Sequence, residues 1–234
     1  MHRIRLPRWA IERGAALNDF AELEPGRTAL VVVDMQAAFL AEGQVFGNPH
    51  ARDIVPRVNT LTAAVRAIGA PVIWTRQTHA VAGPYAPPDW QYDTRFPDVA
   101  CGVAALQAGA SGHALFDRMD VAAGDLVIDK HRYGAFSCPA GRLARALEAQ
   151  NVQMLVIAGT LTNVCCESTA REANMAGYKV IVVSDATAAV TDAEHNAALL
   201  NLRLNFADVR RTAEVLAMAG RAGPPTQPRT PSTG

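Results

Sequence analysis

Short, continuous hydrophobic runs recur along the chain, and longer amphipathic segments separate them. The runs lie at 29–33, 71–75, 126–129, 154–158 and 180–183. Strands that are buried on both faces of a parallel sheet have such unbroken apolar stretches. Helical apolar spacing occupies the intervals at 55–68, 139–150, 166–176 and 193–205. The alternation predicts an α/β fold: a doubly wound, mostly parallel sheet of five or six strands with helices on both faces.

The remaining segments set the limits of the domain. Val209 is predicted to open a short sixth strand, and 212–219 a last helix. Gly69 and Gly177 follow two of the helices, where a C-cap needs positive φ. The segment 77–115 is rich in proline and has little periodicity, so we expect a long loop that covers a substrate. Residues 221–234 are rich in Pro, Thr and Gly, which predicts one domain over 1–220 and a flexible tail over 221–234.

Composition argues against several classes of partner. Of 234 residues, 50% are hydrophobic, and 22 Lys and Arg balance 22 Asp and Glu. A chain without net charge has no field that attracts nucleic acid or an anionic membrane, so we expect a small-molecule substrate. The apolar runs are far shorter than the roughly 20 residues that span a bilayer, and no secretion signal is recognisable. We therefore expect a cytoplasmic protein with reduced cysteines.

Three reactive side chains follow the predicted strands. Asp34 comes directly after 29–33, Lys130 after 126–129, and Cys165 a few residues beyond 154–158. In an open α/β sheet, ligands bind at the carboxyl ends of the strands. Singly, such residues are commonly a turn aspartate, a solvated lysine and a packed cysteine. Their joint placement at corresponding strand ends predicts one reactive site.

The chemistry of a thiol explains why these residue types belong together. A cysteine with a pKa of about 8.5 is mostly protonated at neutral pH, so a nucleophilic cysteine needs a base or a positive neighbour. Asp34 and Lys130 offer both. The predicted helix after Cys165 would add its positive end, and Thr162 or Asn163 could cap that helix.

Three segments resemble the motifs of the isochorismatase-like hydrolases, a family of Rossmann-like fold. They are Ala-Leu-Val-Val-Val-Asp-Met-Gln at 29–36, Ile-Asp-Lys-His-Arg-Tyr-Gly-Ala-Phe at 128–136 and Gly-Thr-Leu-Thr-Asn-Val-Cys-Cys-Glu-Ser-Thr-Ala at 159–170. The likeness extends roughly over 29–208. The family includes nicotinamidases, N-carbamoylsarcosine amidases and ureidoacrylate amidohydrolases, and the strings Thr-Asn-Val-Cys-x-Glu-Ser-Thr and Lys-x-Arg-Tyr look most like the ureidoacrylate branch.

The resemblance implies roles for individual residues. The family's base falls on Asp34, its lysine on Lys130 and its nucleophile on Cys165, while Cys166 takes a position usually held by an apolar residue. A non-proline cis peptide would join Thr160 to Leu161, and the N–H groups of Leu161 and Cys165 would form an oxyanion hole. The implied activity is cysteine-dependent cleavage of a C–N bond in a small amide, ureido or N-carbamoyl compound through a thioester, with Lys130 lowering the thiol pKa. The family is typically a homodimer or homotetramer.

The substrate pocket and the metal content are predicted less directly. Pocket candidates lie beside the strand ends or in the long loop, although Phe39 and Trp74 fit the core equally well: Gln36, Phe39, Trp74, Gln77, Trp90 and Tyr133. Nicotinamidases of the family carry an Asp-x-His and a further His after the second strand. Here 74–81 has His79 and no Asp, so we expect no metal and no cofactor, and we interpret His79 as a solvated or pocket residue.

Three other functions fit parts of the pattern. Isochorismatases cleave a vinyl ether, but as a group they do not depend on the cysteine that is present here. A dinucleotide-binding oxidoreductase would need GxGxxG after the first strand, where the chain has Asp-Met-Gln-Ala-Ala-Phe. A catalytically silent binding protein could share the fold, and the complete set of three reactive residues counts against it.

Overall fold

One parallel sheet organises the chain, which a computed structural model describes over residues 1–88 and 90–222. The sheet has six strands in the order β3-β2-β1-β4-β5-β6, and every neighbouring pair is parallel. The strands are β1 Thr28–Val33, β2 Val72–Gln77, β3 Leu126–Lys130, β4 Met154–Thr160, β5 Lys179–Ala188 and β6 Asp208–Arg210. This order confirms the doubly wound α/β sheet, including its short sixth strand.

Helices cover both faces of the sheet. They are α1 Arg8–Ala15, α2 Ala37–Leu40, α3 Pro49–Asp53, α4 Val55–Ala67, α5 Pro97–Ala105, α6 Arg142–Ala149, α7 Glu167–Met175, α8 Asp192–Asn201 and α9 Thr212–Ala222. A 3₁₀ turn spans Ser111–His113, and π-helical turns span Thr162–Cys166 and Leu202–Phe206. Gly69 and Gly177 have positive φ, as predicted for the ends of α4 and α7. Among the described residues, no helix has both the length and the hydropathy needed to cross a membrane.

Several elements differ from the sequence prediction. Helix α6 begins three residues later than expected because Gly141 is left-handed, with φ 56°. The predicted loop 77–115 contains helix α5, which starts with Pro97 at a position where a helix tolerates a missing N–H. Helix α9 includes Arg221 and Ala222, and the rest of the predicted tail lies outside the described residues.

The two hydrophobic layers explain why the central strands are apolar throughout. In β1, Leu30 and Val32 pack into one layer with α4 and α9, whereas Val31 and Val33 pack into the other with α6 and α7. Burial of each such side chain contributes about 1.5–3 kcal/mol, so both faces favour Val, Leu and Ile.

The site is located where β1 and β4 lie side by side. From β1 the sheet continues to β2 and β3, and from β4 it continues the other way to β5 and β6, which makes the β1–β4 junction the topological switch point. Gly159, with φ 118°, pairs with Val33 at this junction, and a Cβ there would overlap the Val33 backbone. Glycine therefore lets the carboxyl ends of β1 and β4 approach closely.

Candidate active site

Asp34, Lys130 and Cys165 meet at the carboxyl edge of the sheet. Asp34 follows β1, Lys130 is the last residue of β3, and Cys165 lies in the π-helical turn after β4. The Lys130 Nζ is 2.8 Å from Asp34 Oδ2 and 3.5 Å from Cys165 Sγ. All three side chains are buried, so solvent screens their interaction little.

Lys130 is held as a buried cation. Its Nζ also donates to Gln77 Oε1 at 2.7 Å and to the Arg132 carbonyl at 3.0 Å. Burial by itself would lower the pKa of Lys130, but the interactions with Asp34 and Cys165 outweigh that effect, and the net shift is upward. The ammonium is therefore a permanent positive charge at the centre of the site.

Asp34 is fixed by its backbone and by its neighbour on β2. The residue has a left-handed φ of 49°, and its Oδ1 accepts a hydrogen bond from Thr75 Oγ1 at 2.7 Å. The next turn is anchored by Gln36, whose Nε2 donates to the carbonyls of Gln77 and His113, and whose Oε1 accepts from the Gln77 N–H. These bonds leave Asp34 Oδ2 directed at Lys130.

The Cys165 thiol is protonated in the resting site. Burial raises its pKa most, the Asp34 carboxylate raises it further, and the Lys130 charge offsets only part of this, so the pKa is about 12. Lys130 does lower the thiol pKa, as expected, but desolvation outweighs the lysine and the net shift is upward. A thiol in this state can act as a nucleophile only when a base takes its proton.

The turn that carries Cys165 differs from the predicted capped helix. The π-helical turn comes first and α7 follows it, and neither start has a side-chain cap. Thr162 Oγ1 instead shares a hydrogen bond of 2.8 Å with His195 Nδ1, and Asn163 Oδ1 has no hydrogen-bond partner among the described residues. The peptide bond between Thr160 and Leu161 is cis.

A cleft next to these residues is lined by polar and aromatic groups. Its walls are Gln77, Thr78, His79, Pro87, Gln91, Tyr92, His131, Arg132 and Tyr133. The Tyr92 hydroxyl donates to the Tyr133 hydroxyl at 2.9 Å. Burial raises the pKa of Tyr92 most, followed by the bond to Tyr133. Two residues of the wall, Gln77 and Arg132, accept hydrogen bonds from Lys130 Nζ, so the cleft adjoins the reactive residues.

Basic residues after β3 hold the loop that covers this cleft. Arg132 Nη1 donates to the Tyr85 carbonyl at 3.1 Å, and the His131 ring stacks on the Tyr85 ring at 4.7 Å. His131 Nδ1 is also 3.0 Å from the Thr78 carbonyl oxygen. The segment that contains Lys130 therefore positions both the Lys130 ammonium and part of the cleft wall.

Comparison with known proteins identifies the family. The sequence model of the isochorismatase domain matches residues 28–214 of this chain. The chain belongs to the isochorismatase family. A family relative from Methylobacterium radiotolerans, a ureidoacrylate amidohydrolase, is 33% identical over 86% of this chain and 83% of its own. Nicotinamidase 3 of Arabidopsis thaliana is 31% identical over 76% of this chain and 82% of its own. The crystal structure of a cysteine hydrolase from Pseudomonas syringae pv. phaseolicola superposes with a TM-score of 0.78 at 28% identity, over 88% of this chain and 98% of that one.

Only some of the predicted pocket residues lie in the wall of the cleft. Gln77 and Tyr133 line the cleft. Trp74 lies in the core and donates from Nε1 to Asp125 at 2.8 Å, so it has the packing role that the sequence left open. Phe39 packs against the same core layer, and Trp90, 82% exposed, is not part of the cleft wall.

Other wall residues were not found by sequence reasoning. Tyr92 lies in a proline-rich segment without periodicity, so no pattern distinguished it from Trp90. Thr75, which holds Asp34, was also missed; it is the fourth residue of β2, and a polar residue at the end of the apolar run 71–75 was the signal that could have identified it. Gln36 is beside the site, but its amide is used in holding β2.

His79 is a neutral polar group in the cleft wall. Burial, followed by the positive charge of Lys130, lowers its pKa to about 4. Its Nδ1 is buried and has no hydrogen-bond partner in the described part of the chain. Within residues 1–88 and 90–222, His79 belongs to no group of three side chains spaced to hold a metal ion. A ligand in the cleft could supply the missing hydrogen bond.

Proposed function

We propose that this chain is a cysteine-dependent hydrolase that cleaves a C–N bond of a small ureido, N-carbamoyl or amide compound. The observation that carries the proposal is the contact of one buried ammonium, Lys130 Nζ, with both Asp34 at 2.8 Å and Cys165 at 3.5 Å. The ureidoacrylate amidohydrolase relative supports the substrate class.

The first half-reaction forms the thioester. Asp34 accepts the Cys165 proton while the sulfur attacks the substrate carbonyl, and the carbonyl oxygen becomes an oxyanion. We assign the oxyanion hole to the N–H groups of Leu161 and Cys165. When the tetrahedral intermediate collapses, the C–N bond breaks and the leaving nitrogen takes the proton from Asp34.

The second half-reaction restores the enzyme. The ionised Asp34 accepts a proton from water, the hydroxide formed attacks the thioester, and the C–S bond breaks. The sulfur leaves as a thiolate and recovers the proton from Asp34. The products are the acid, or the carbamate from a ureido group, and the amine or ammonia.

Lys130 makes this proton exchange possible inside a buried site. Moving the proton from the thiol to Asp34 exchanges one anion for another without changing the total charge, and Nζ contacts both positions. A thiol with a pKa of about 12 would not ionise at neutral pH without a base. The lysine therefore compensates the negative charge on whichever group carries it.

The cleft suits a small planar substrate. Gln77, Tyr92 and Tyr133 contribute amide and phenol groups, and His79 contributes a neutral nitrogen without a partner. Such groups can form hydrogen bonds with the N–H and C=O groups of a urea or carbamoyl compound. The nicotinamidase relative suggests a different substrate. However, the segment around His79 lacks the aspartate and second histidine described above for nicotinamidases.

An ammonia-release screen tests the proposal. It should compare ureidoacrylate-like, N-carbamoyl, biuret-like and simple amide compounds. We expect turnover with one of the first three, its loss in Cys165→Ser, and its retention in Cys166→Ala as the matched control. Mass spectrometry of rapidly quenched enzyme should find the acyl group on Cys165. An acyl group on Cys166, or no turnover with any of these compounds, would contradict the proposal.

A further inference from the structure

Three potential metal ligands from distant parts of the chain meet away from the candidate active site. They are His2 in the N-terminal segment, His50 in α3 and Asp192 at the start of α8. His2 Nδ1 is 2.8 Å from Asp192 Oδ1, and the rings of His2 and His50 have their centroids 4.1 Å apart. One ligand atom from each of the three lies within 4.8 Å of the other two.

The surroundings of His2 suit a metal ligand. Its side chain is only 3% exposed, and its ring stacks on that of His195 at 4.2 Å. Nε2 is 3.2 Å from the Ala189 carbonyl and 3.1 Å from the Ala189 N–H, so the tautomer selects which of the two is its partner. In the structure the 2.8 Å contact with Asp192 Oδ1 places the proton on Nδ1, so Nε2 accepts from the Ala189 N–H. A metal ion at Nδ1 would displace that proton, and Nε2 would then donate to the Ala189 carbonyl. A histidine that donates to a backbone carbonyl through its outer nitrogen is typical of metal sites.

His50 is positioned by the same stretch of backbone. The side chain of Asn48 accepts a hydrogen bond from the His50 N–H at 3.0 Å, and its Nδ2 donates to the Ala189 carbonyl at 2.9 Å. His50 Nδ1 is buried and has no hydrogen-bond partner among the described residues. Burial, and next the neighbouring His2, lower the pKa of His50.

We propose that His2, His50 and Asp192 form a binding site for a divalent cation of the zinc type, separate from the candidate active site. Two imidazoles and a carboxylate are a ligand set that Zn²⁺ prefers, and water can complete the tetrahedron because Asp192 is exposed. The candidate ligand atoms lie within 4.8 Å of one another, whereas ligand atoms around Zn²⁺ lie about 3.4 Å apart. Each pair therefore needs to approach by about 1.5 Å at most.

Asp192 is the carboxylate that would balance the ion. Asp53 Oδ2 lies 3.8 Å from His50 Nδ1 but is paired with the Met1 ammonium. Bound metal would join the N-terminal segment to α3 and α8. It would also fix His2 against His195, which holds Thr162 of the nucleophile turn.

Metal stoichiometry tests the site directly. The full chain, with nothing added before Met1 and with Cys165→Ser to remove the reactive thiol, is freed of metal and dialysed against micromolar ZnCl₂. We expect about one zinc per chain by elemental analysis, and at least tenfold weaker binding in His50→Ala and in Asp192→Asn. His131→Ala is the matched control, since it removes a histidine outside the cluster and should bind zinc normally.

Cobalt substitution separates this site from the remaining cysteines. Co²⁺ bound by nitrogen and oxygen should show visible d–d bands without the near-ultraviolet charge-transfer band of a thiolate ligand. Circular dichroism should show folded protein for each variant, and Asp192→Asn keeps the shape of the replaced side chain. Zinc below a tenth of an equivalent in the unmodified cluster, binding unchanged in both variants, or a thiolate band would overturn the proposal.

Discussion

The coupling between Asp34 and Lys130 can be measured with a double-mutant cycle. Lys130→Met keeps the volume of the side chain but removes the charge that faces Asp34 Oδ2 at 2.8 Å and Gln77 Oε1 at 2.7 Å. Asp34→Asn removes the opposite charge. Because each single change leaves a buried ion without its partner, we expect each to lower the free energy of unfolding by about 3–5 kcal/mol.

The double variant should be no less stable than either single variant. With both charges removed, the site contains a neutral amide and an apolar chain, so the interaction free energy should be at least about 3 kcal/mol. The losses of activity should be non-additive in the same way. Each single change should lower kcat by about 10²–10⁴-fold, and the double variant should lose little more, because the residues act as one unit.

Urea denaturation and ammonia release measure the two effects on the same samples. The pair Arg76–Asp129, 2.7 Å apart on the same strands β2 and β3 but partly exposed, provides the control. Its cycle, with Arg76→Met and Asp129→Asn, should give a coupling of about 1 kcal/mol or less. Additive losses at Asp34 and Lys130, in stability and in kcat, would refute the role assigned to the buried charge.

Further predictions address the metal, the pH dependence and the cleft. Turnover should survive exhaustive chelation, since His79 has no companion ligands among the described residues; loss of kcat that zinc or manganese restores would contradict this. Burial lowers the pKa of His195 to about 3, so unfolding takes up a proton below pH 6.5, and the stability that this histidine contributes is lost as pH falls. Between pH 7.5 and 5, His195→Gln should lose about 2 kcal/mol less stability than the unmodified protein, whose other buried histidines are the same in both, and equal pH slopes for both proteins would disprove this. Tyr92→Phe should raise KM about tenfold with kcat within threefold, because it removes the bond to Tyr133; a fall in kcat alone would place the hydroxyl in the chemical step.

Apolar continuity was sufficient to locate the strands, because both faces of this sheet are covered. Leu30 and Val31 point into different layers, and both layers are built from buried apolar side chains. Helix α5 was missed for the opposite reason. It lies in the proline-rich segment that was expected to be a loop, and Pro97 at its start resembled the loop prolines around it.

The reactive residues were predictable because strand ends converge, whereas the cleft wall was not. Asp34 and Lys130 are adjacent to apolar runs, so the parallel sheet itself determines where their backbones lie. Tyr92 and Trp90 are both aromatic residues in one irregular segment. Only the path of that segment, held by Arg132 at the Tyr85 carbonyl, places Tyr92 in the cleft and leaves Trp90 exposed.

The sign of the thiol shift illustrates a property that residue identity does not determine. The same lysine beside the same cysteine would favour the thiolate at a solvated surface, because little desolvation would oppose it. Here both groups are buried and Asp34 adds a second anion, so the pKa of Cys165 rises to about 12. In the proposed mechanism, the raised pKa keeps the thiol protonated until a substrate is bound, and the proton then needs to move only to Asp34. That mechanism therefore requires activation by the assembled group of Asp34, Lys130 and substrate, and not by the lysine alone.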